Sequence, residues 1–268
     1  MSEISQSLNT ANPWFYYPLV VGLILAAGMV GHRFGRRFHD PDSQPRVIDY
    51  LSSVQAALIG LLSLMIAFTF SLSLSRYEAR QKAVLTEATA ISETRELAAL
   101  LPAPQAAAAD RLLGTYIAAR IELGEVGTNL SRRRAIVGRS NALQRALWAQ
   151  AMAAGAGGAE TPRAQTSQFV SSLNALDDRD EERLAADHNQ VPLAVFVTLY
   201  GLALLASGYS GYAIGVKGSR GMQSNAILGI AIATVITLIA DVDTPGSGLV
   251  GVSQDPLKNL ELTAPVIR

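Results

Sequence analysis

The sequence predicts an all-α integral membrane protein with four transmembrane helices and a helical extramembrane insert between the second and third of them. Four apolar runs approach or reach the ~20 residues that a helix needs to cross ~30 Å of hydrocarbon. Hydrophobic residues make up 49% of the 268-residue chain and charged residues 16%, so spanning segments and water-exposed segments are both expected. The predicted boundaries are 1–13 for an N-terminal segment, 14–75 for a first transmembrane hairpin, 76–190 for the extramembrane helical domain, 191–243 for a second transmembrane hairpin and 244–268 for a C-terminal tail.

The first span is predicted from the apolar run at residues 18–31. The aromatic cluster at residues 14–17 precedes it, and such side chains are typical of a headgroup boundary. A cleaved signal peptide is the alternative interpretation. However, no basic segment stands ahead of the run and no small-residue cleavage pattern precedes Arg33, so retention as a span is favoured.

The second span is predicted at residues 54–74, an uncharged run whose end, FSLSLS, alternates apolar and hydroxyl residues as a strand would. An isolated strand in a lipid core would leave its backbone N–H and C=O groups unpaired, at several kcal/mol for each group. Serine and threonine in a spanning helix instead bond to backbone carbonyls or to neighbouring helices. We therefore predict one continuous helix from residue 54 to residue 101, with Thr69, Ser71, Ser73 and Ser75 easing its passage out of the membrane.

The third span is predicted at residues 191–216 and the fourth at residues 225–240. Pro192 suits the first turn of the third span, where the missing N–H costs nothing. The third span also contains Gly201, Gly208 and a GxxxG pair at Gly211 and Gly215, which favours close packing against another helix. Both short connections between spans are predicted to lie on one face of the membrane, and the insert and both termini on the other.

The insert is predicted to be all-α. Its first helix continues from the second span and carries an apolar stripe at three-, four- or seven-residue spacings, with Glu87, Glu93 and Arg95 around it. Further helices are predicted at residues 105–125, 130–154 and 164–187, with a glycine-rich loop at 154–162 that fits no phosphate fingerprint. The stripe consists of Val84, Ala88, Ile91, Ala98 and Leu101.

Composition and motifs exclude several classes of function. The absence of cysteine excludes disulfides and thiolate catalysis, and a formal net charge of zero gives no basic footprint for nucleic acid. No catalytic motif occurs, so we expect no enzyme, no catalytic residue and no cofactor. The basic run SRRRAIVGR at residues 131–139 could bind phosphate or anionic lipid, although the solvated face of a helix is the favoured interpretation.

Asp241 and Asp243, at the end of the fourth span, are the candidate ion-binding residues. Carboxylates at a helix C-terminus oppose the helix dipole, so their placement needs a reason. One interpretation is that they anchor the helix end in water and hydrogen-bond a turn at residues 244–246. The alternative is ion coordination or a salt bridge to an arginine, because acids at a membrane edge are functional candidates. Whether a metal binds is left open.

Two motifs stand out: FSLSLSRYEARQKAVLTEATAI follows the second span, and ADVDTPGSGLVGVSQDPL follows the fourth. With this order of elements, the chain resembles the bestrophin-like bacterial membrane proteins, whose domain has no assigned function. The resemblance extends from about residue 54 to residue 260. Bestrophins are pentameric anion channels with four spans per subunit and a pore lined by the second span. The resemblance therefore implies candidate pore-lining residues on one face of the second span here: Ser63, Ile66, Phe70, Ser73 and Leu74.

We therefore expect a bestrophin-like homo-oligomeric channel that spans the bacterial inner membrane several times. Its expected partners are the lipid bilayer and small inorganic ions, with anions such as chloride favoured. The resemblance implies a pentamer. The alternative is a non-conducting membrane scaffold or sensor that binds a partner or lipid through the helical insert. Basic residues in the two short loops place the insert outside the cytoplasm by the positive-inside bias, whereas bestrophins have the reverse orientation. The sequence leaves the orientation open.

Overall fold

In the computed structural model, residues 13–39, 45–127, 129–156, 163–218, 221–246 and 249–262 are described, and they form eight helices and no strand. The N-terminal segment and the glycine-rich loop that the sequence predicts lie largely outside these residues. The helices are α1 (Pro13–Arg36), α2 (Pro45–Ala98), α3 (Ala103–Glu125), α4 (Leu130–Ala156), α5 (Arg163–His188), α6 (Leu193–Val216), α7 (Met222–Asp243) and α8 (Asp255–Leu262).

The chain divides into two compact units. Unit 1 contains the described residues up to 75, those from 190 to 244, and 249–250. Unit 2 contains residues 76–189, the described residues of 245–247, and those from 251 onwards. Four helices are long and apolar enough to cross a membrane by their length and composition, and they include α1, the first part of α2, α6 and α7.

The second apolar run and the charged segment after it belong to one helix, as the sequence predicts. Helix α2 has 54 residues, which at the rise of an α-helix is roughly 80 Å, well beyond the ~30 Å of a hydrocarbon core. Hydroxyls in its apolar part bond back to the preceding turn, Ser63 Oγ to the Ile59 carbonyl at 2.8 Å and Thr69 Oγ1 to the Met65 carbonyl at 2.7 Å. The helix ends at Ala98, three residues before the predicted end, because the chain tightens into turns ahead of Pro102.

In unit 1, helix α2 packs one face against α6. Leu51 forms a buried cluster with Ala213 and Val216, and Leu62 lies further along in a second cluster that includes Leu199. Between them, Gln55 Nε2 donates to Ser210 Oγ at 2.9 Å. This apolar face with one buried polar contact fixes which side of α2 is turned away from the rest of unit 1.

Helices α1 and α6 run parallel in direct backbone contact, which requires glycine on both. A Cβ atom at Gly31 would overlap the carbonyl oxygen of Gly208, and one at Gly211 would overlap the carbonyl oxygen of Gly28. The packing that the sequence predicts for Gly211 and Gly215 is therefore confirmed, with α1 as the partner. The contact also brings the C-terminal ends of the two helices side by side, where His39 Nδ1 lies 2.8 Å from the Val216 carbonyl oxygen.

Unit 2 is built from α3, α4, α5, α8 and the last part of α2 around one apolar core. All five residues of the predicted stripe on α2 are buried in it or beside it. The predicted helices of the insert are confirmed to within about two residues at their ends. One expectation is wrong: Glu87 does not flank the stripe but is completely buried on it. Helix α8, which the sequence analysis did not predict, adds Leu257 to the core.

Substitution of Gly31 by alanine should destabilise the protein by about 1–3 kcal/mol, because the added methyl group forces two backbones apart. The measurement is the thermal unfolding midpoint of the purified protein in detergent. Gly60→Ala in α2 is the matched control, because a Cβ there meets no atom within 4 Å. Equal effects of the two substitutions would show that the close contact contributes nothing.

Candidate functional site

The five candidate pore-lining residues of α2 do not share one environment. Phe70 and Leu74 are 40% and 38% exposed, and Ser63 is also exposed. Ile66 is half-buried and packs against the buried cluster of Val191, Phe196 and Ile239. Ser73 is fully buried. The structure therefore leaves Ser63, Phe70 and Leu74 available to a channel axis or to a second copy, and turns Ser73 toward the interior of the protomer.

The three exposed candidates form one stripe. They are spaced seven and four residues apart, and at 3.6 residues per turn such positions lie on the same side of a helix. Phe68, which is 65% exposed, points to a different side of α2 because it precedes Phe70 by only two residues. The helix thus presents two distinct exposed aromatic positions at nearly the same height.

Asp241, the first ion-binding candidate, is buried and accepts hydrogen bonds from backbone groups. Its carboxylate lies 2.9 Å from the Leu249 N–H nitrogen and 3.1 Å from that of Val250. Helix α7 continues past it to Asp243, three residues beyond the predicted end of the fourth apolar run. The carboxylate therefore holds the segment after α7 against the end of that helix.

Asp243, the second candidate, has the same kind of role for a different segment. Its two carboxylate oxygens lie 3.1 and 3.0 Å from the backbone nitrogen of Val191, just before the start of α6. The two carboxylates thus tie the end of α7 to the backbone of Val191, Leu249 and Val250. No group of three or more metal-binding side chains occurs among the described residues, and ion binding here stays a prediction.

Unit 2 contains a buried network of four charged side chains. Glu87 of α2 pairs through one carboxylate oxygen with Arg120 of α3 and through the other with Arg183 of α5. Arg120 also pairs with Asp180 of α5, with 2.5 Å between its Nη1 and Oδ1 of the aspartate. All four side chains are almost or completely buried. Two cations and two carboxylates balance one another, which is the condition for burying charge at tolerable cost.

Polar groups from three further positions complete this charge network. The Arg120 guanidinium lies over the Tyr116 ring, 5.7 Å from its centroid. Gln144 Nε2 donates to Asp180 at 3.4 Å, and Arg183 Nη2 donates to Gln254 Oε1 at 2.9 Å. Gln254 fits because Gly124 has no side chain to occupy its place. The network therefore joins α2, α3, α4, α5 and the C-terminal segment.

The electrostatics of the network follow from burial. Burial raises the pKa of Asp180, and the charge of Arg120 opposes that rise without cancelling it. Burial likewise raises the pKa of Tyr116 well above its ordinary value, so the phenol stays protonated. The network contains neither cysteine nor histidine, and its arginines are engaged with carboxylates. Its ion pairs join α2, α3 and α5 through buried charge.

Sequence reasoning missed this network, although a signal for it was present. Glu87 lies three residues after Val84 and four before Ile91, spacings that place it on the buried stripe. A carboxylate at such a position requires a buried cation, and the sequence offers many arginines. Only the packing of α3 and α5 identifies Arg120 and Arg183 as the partners.

Three of the four arginines in the basic run at residues 131–139 form ion pairs with the protein itself. Arg132 and Arg139 both pair with Glu122, at 3.0 and 2.5 Å, and Arg133 pairs with Asp187 at 2.7 Å. Hydrogen bonds from Arg139 and Arg132 lower the pKa of Glu122. These ion pairs favour the interpretation of the run as a solvated helix face over that of an anion site.

The helical architecture and the four long apolar helices define a multi-helix membrane protein. The Bestrophin-like domain model matches residues 18–257. The chain therefore belongs to the bestrophin-like family, and the match begins earlier than the resemblance seen in the sequence, because it includes the first apolar helix. Searches of the curated proteins and of the solved structures found no match.

Replacing Glu87 by glutamine should reduce the free energy of unfolding by about 3–5 kcal/mol, because it leaves two buried arginines with one carboxylate. Chemical or thermal unfolding of the purified protein measures the change. Glu78→Gln, an exposed position on the same helix, is the control and should change stability by no more than about 0.5 kcal/mol. A loss no larger than that of the control would show that the pairs do not stabilise unit 2.

Asp180→Asn should alter how stability depends on pH. A carboxyl whose pKa is raised by folding stabilises the folded state most when protonated, and this contribution is lost as the pH rises through the folded-state pKa. The stability of the wild type relative to the Asn variant should therefore fall as the pH rises above the ordinary pKa of aspartate, about 4. Unfolding midpoints of both proteins across this range test the sign, and a relative stability that rises with pH would contradict it.

Proposed function

We propose that the protein is an oligomeric bestrophin-like ion channel, with anions favoured, in which α2 lines the axis. The observation that carries the proposal is the exposed stripe of Ser63, Phe70 and Leu74, which lies about a quarter to a third of a turn around α2 from the face packed against α6. Membership in the bestrophin-like family supports the same conclusion, because bestrophins are anion channels lined by their second span.

The chemistry of the stripe suits a hydrophobic constriction. Rings of Phe70 and Leu74 around an axis would exclude water until the pore widens, and a hydroxyl such as that of Ser63 offers a dipole to a passing anion. The Ser63 hydroxyl donates to the Ile59 carbonyl, so its oxygen lone pairs and not its proton face outward when that bond is intact. An anion would therefore need the hydroxyl to rotate, which makes Ser63 a weaker contributor than the apolar residues.

The wider arrangement is proposed on the same grounds. Helices α1, α6, α7 and the first part of α2 cross the inner membrane of a bacterium, and unit 2 stands outside it. The functional form is a homo-oligomer, with a pentamer suggested by the family. The pore needs no resident cofactor.

Ion flux through the reconstituted oligomer tests the proposal. The purified full chain is incorporated into vesicles loaded with a chloride-sensitive dye, and flux is measured over a range of voltages and anions. Flux above that of protein-free vesicles is the expected result. A homogeneous oligomer that passes no ion would remove the proposal in favour of a non-conducting scaffold.

Phe70→Ala should raise anion flux several-fold, because it removes a ring from the proposed constriction. Phe68→Ala is the matched control: the same change is made two residues away, on a different side of the same helix, where flux should stay near that of the wild type. Flux is measured at equal amounts of incorporated oligomer. If Phe68→Ala has the larger effect, a different face of α2 lines the axis.

A further inference from the structure

The described cationic side chains of unit 1 are all located at one end of it. The sequence of this unit contains six lysines and arginines, and each lies in or beside the connection after α1 or the connection after α6. Four of them have described side chains: Arg33, Arg36, Arg37 and Lys217. The opposite end of the unit, where α7 ends, carries Asp241 and Asp243, which are buried and bonded to backbone N–H groups.

Contacts between helix ends bring these cations together. The glycine packing of α1 on α6 holds the last turns of the two helices side by side. His39 contacts the Val216 carbonyl, and Lys217 Nζ donates to Ser52 Oγ of α2 at 2.8 Å. The ends of α1 and α6 and the start of α2 therefore form one surface. We call the surface formed by Arg33, Arg36, Arg37 and Lys217, together with the aromatic residues Phe34, Phe38 and Tyr50, the basic rim.

The charges of the basic rim are not neutralised by the described protein. None of its four cations forms an ion pair with a described residue. The described carboxylate of this end is Asp49, on the first turns of α2, while Asp40 and Asp42 lie outside the described residues. This contrasts with α4, where three of the four arginines in the basic run are bonded to Glu122 or Asp187.

The aromatic residues of the basic rim are unusually exposed. Phe34, Phe38 and Tyr50 are 52%, 56% and 69% exposed, and the Phe34 and Phe38 rings contact each other at a centroid distance of 5.2 Å. Tyr212 lies beside them, 6.1 Å from Phe34. Aromatic rings among cations at the end of apolar helices match the boundary between hydrocarbon and headgroups, where rings lie in the interface and guanidinium groups reach the phosphates.

We propose that the basic rim binds the headgroups of anionic phospholipids. Four cations that form no ion pair among the described residues favour a ligand of negative charge. Arginine is suited to bidentate contact with phosphate, and the exposed rings favour an environment less polar than water. An anionic lipid surface supplies both. A soluble protein partner would satisfy the charges, but it would not explain why the rim stands at the end of apolar helices.

Quenching of a tryptophan in the rim by brominated lipids tests the proposal. Trp14→Phe removes the tryptophan at the other end of α1, and Phe38→Trp places a sensor in the rim. The full chain is reconstituted into phosphatidylcholine vesicles containing brominated phosphatidylglycerol or brominated phosphatidylcholine, and the Trp14→Phe chain without the sensor gives the background from Trp148. The anionic lipid should quench the sensor more strongly, with a preference of about tenfold or more that disappears at high salt.

Variants of the basic rim test whether charge causes the preference for the anionic lipid. Arg33→Gln, Arg36→Gln, Arg37→Gln and Lys217→Gln combined should abolish the preference for phosphatidylglycerol, whereas replacing the three arginines by lysine should retain most of it. The control is Arg134→Gln with Arg145→Gln, two exposed arginines of α4 whose loss should leave the preference unchanged. No preference in the sensor chain, or a preference that survives the fourfold change, would overturn the proposal. Glycerol phosphate that abolishes the preference at the same concentration as the lipid headgroups would also overturn it, because the bilayer would then contribute nothing to binding.

Discussion

Unit 1 depends on the approach of two parallel helices to backbone contact. The glycines on α1 and α6 have no side chain that would separate these helices, so the two backbones pack directly against each other. The approach fixes where α6 presents Ser210, Ala213 and Val216 to α2. Since one face of α2 is committed to α6, its opposite side is left for lipid, for another copy or for an axis. A function carried by α2 therefore rests on glycines of two other helices.

Unit 2 is governed by a different constraint, the need to pair charge inside an apolar core. Glu87 satisfies two arginines at once, and Arg120 in turn satisfies Asp180. Such a network adds little net stability over apolar packing, but it cannot be formed by helices in a different order. Its value lies in selecting one arrangement of α2, α3 and α5 out of the several that their apolar faces alone would allow.

Much of the fold could be predicted from the sequence because it is encoded locally. Apolar runs, the spacing of Val84 and Ile91, and the proline after α2 are enough to place most helices. What could not be predicted depends on distant residues. The partners of Glu87 and of Asp241 are set by tertiary packing and by loop conformation. The mistaken position of Glu87 shows the limit: its spacing placed it on the stripe, but its charge suggested the surface.

The C-terminal segment completes the core of unit 2, although it is far along the sequence from the other helices of that unit. Leu257 enters the core and Gln254 bonds to Arg183, although α6 and α7 lie between α5 and these residues in the chain. During synthesis the ribosome must therefore deliver both later apolar helices before it supplies the last pieces of a core begun at Val84. Until then Arg183 lacks its amide partner and the groove beside Gly124 is open. The core of unit 2 is therefore incomplete in the nascent chain until this last segment has been synthesised.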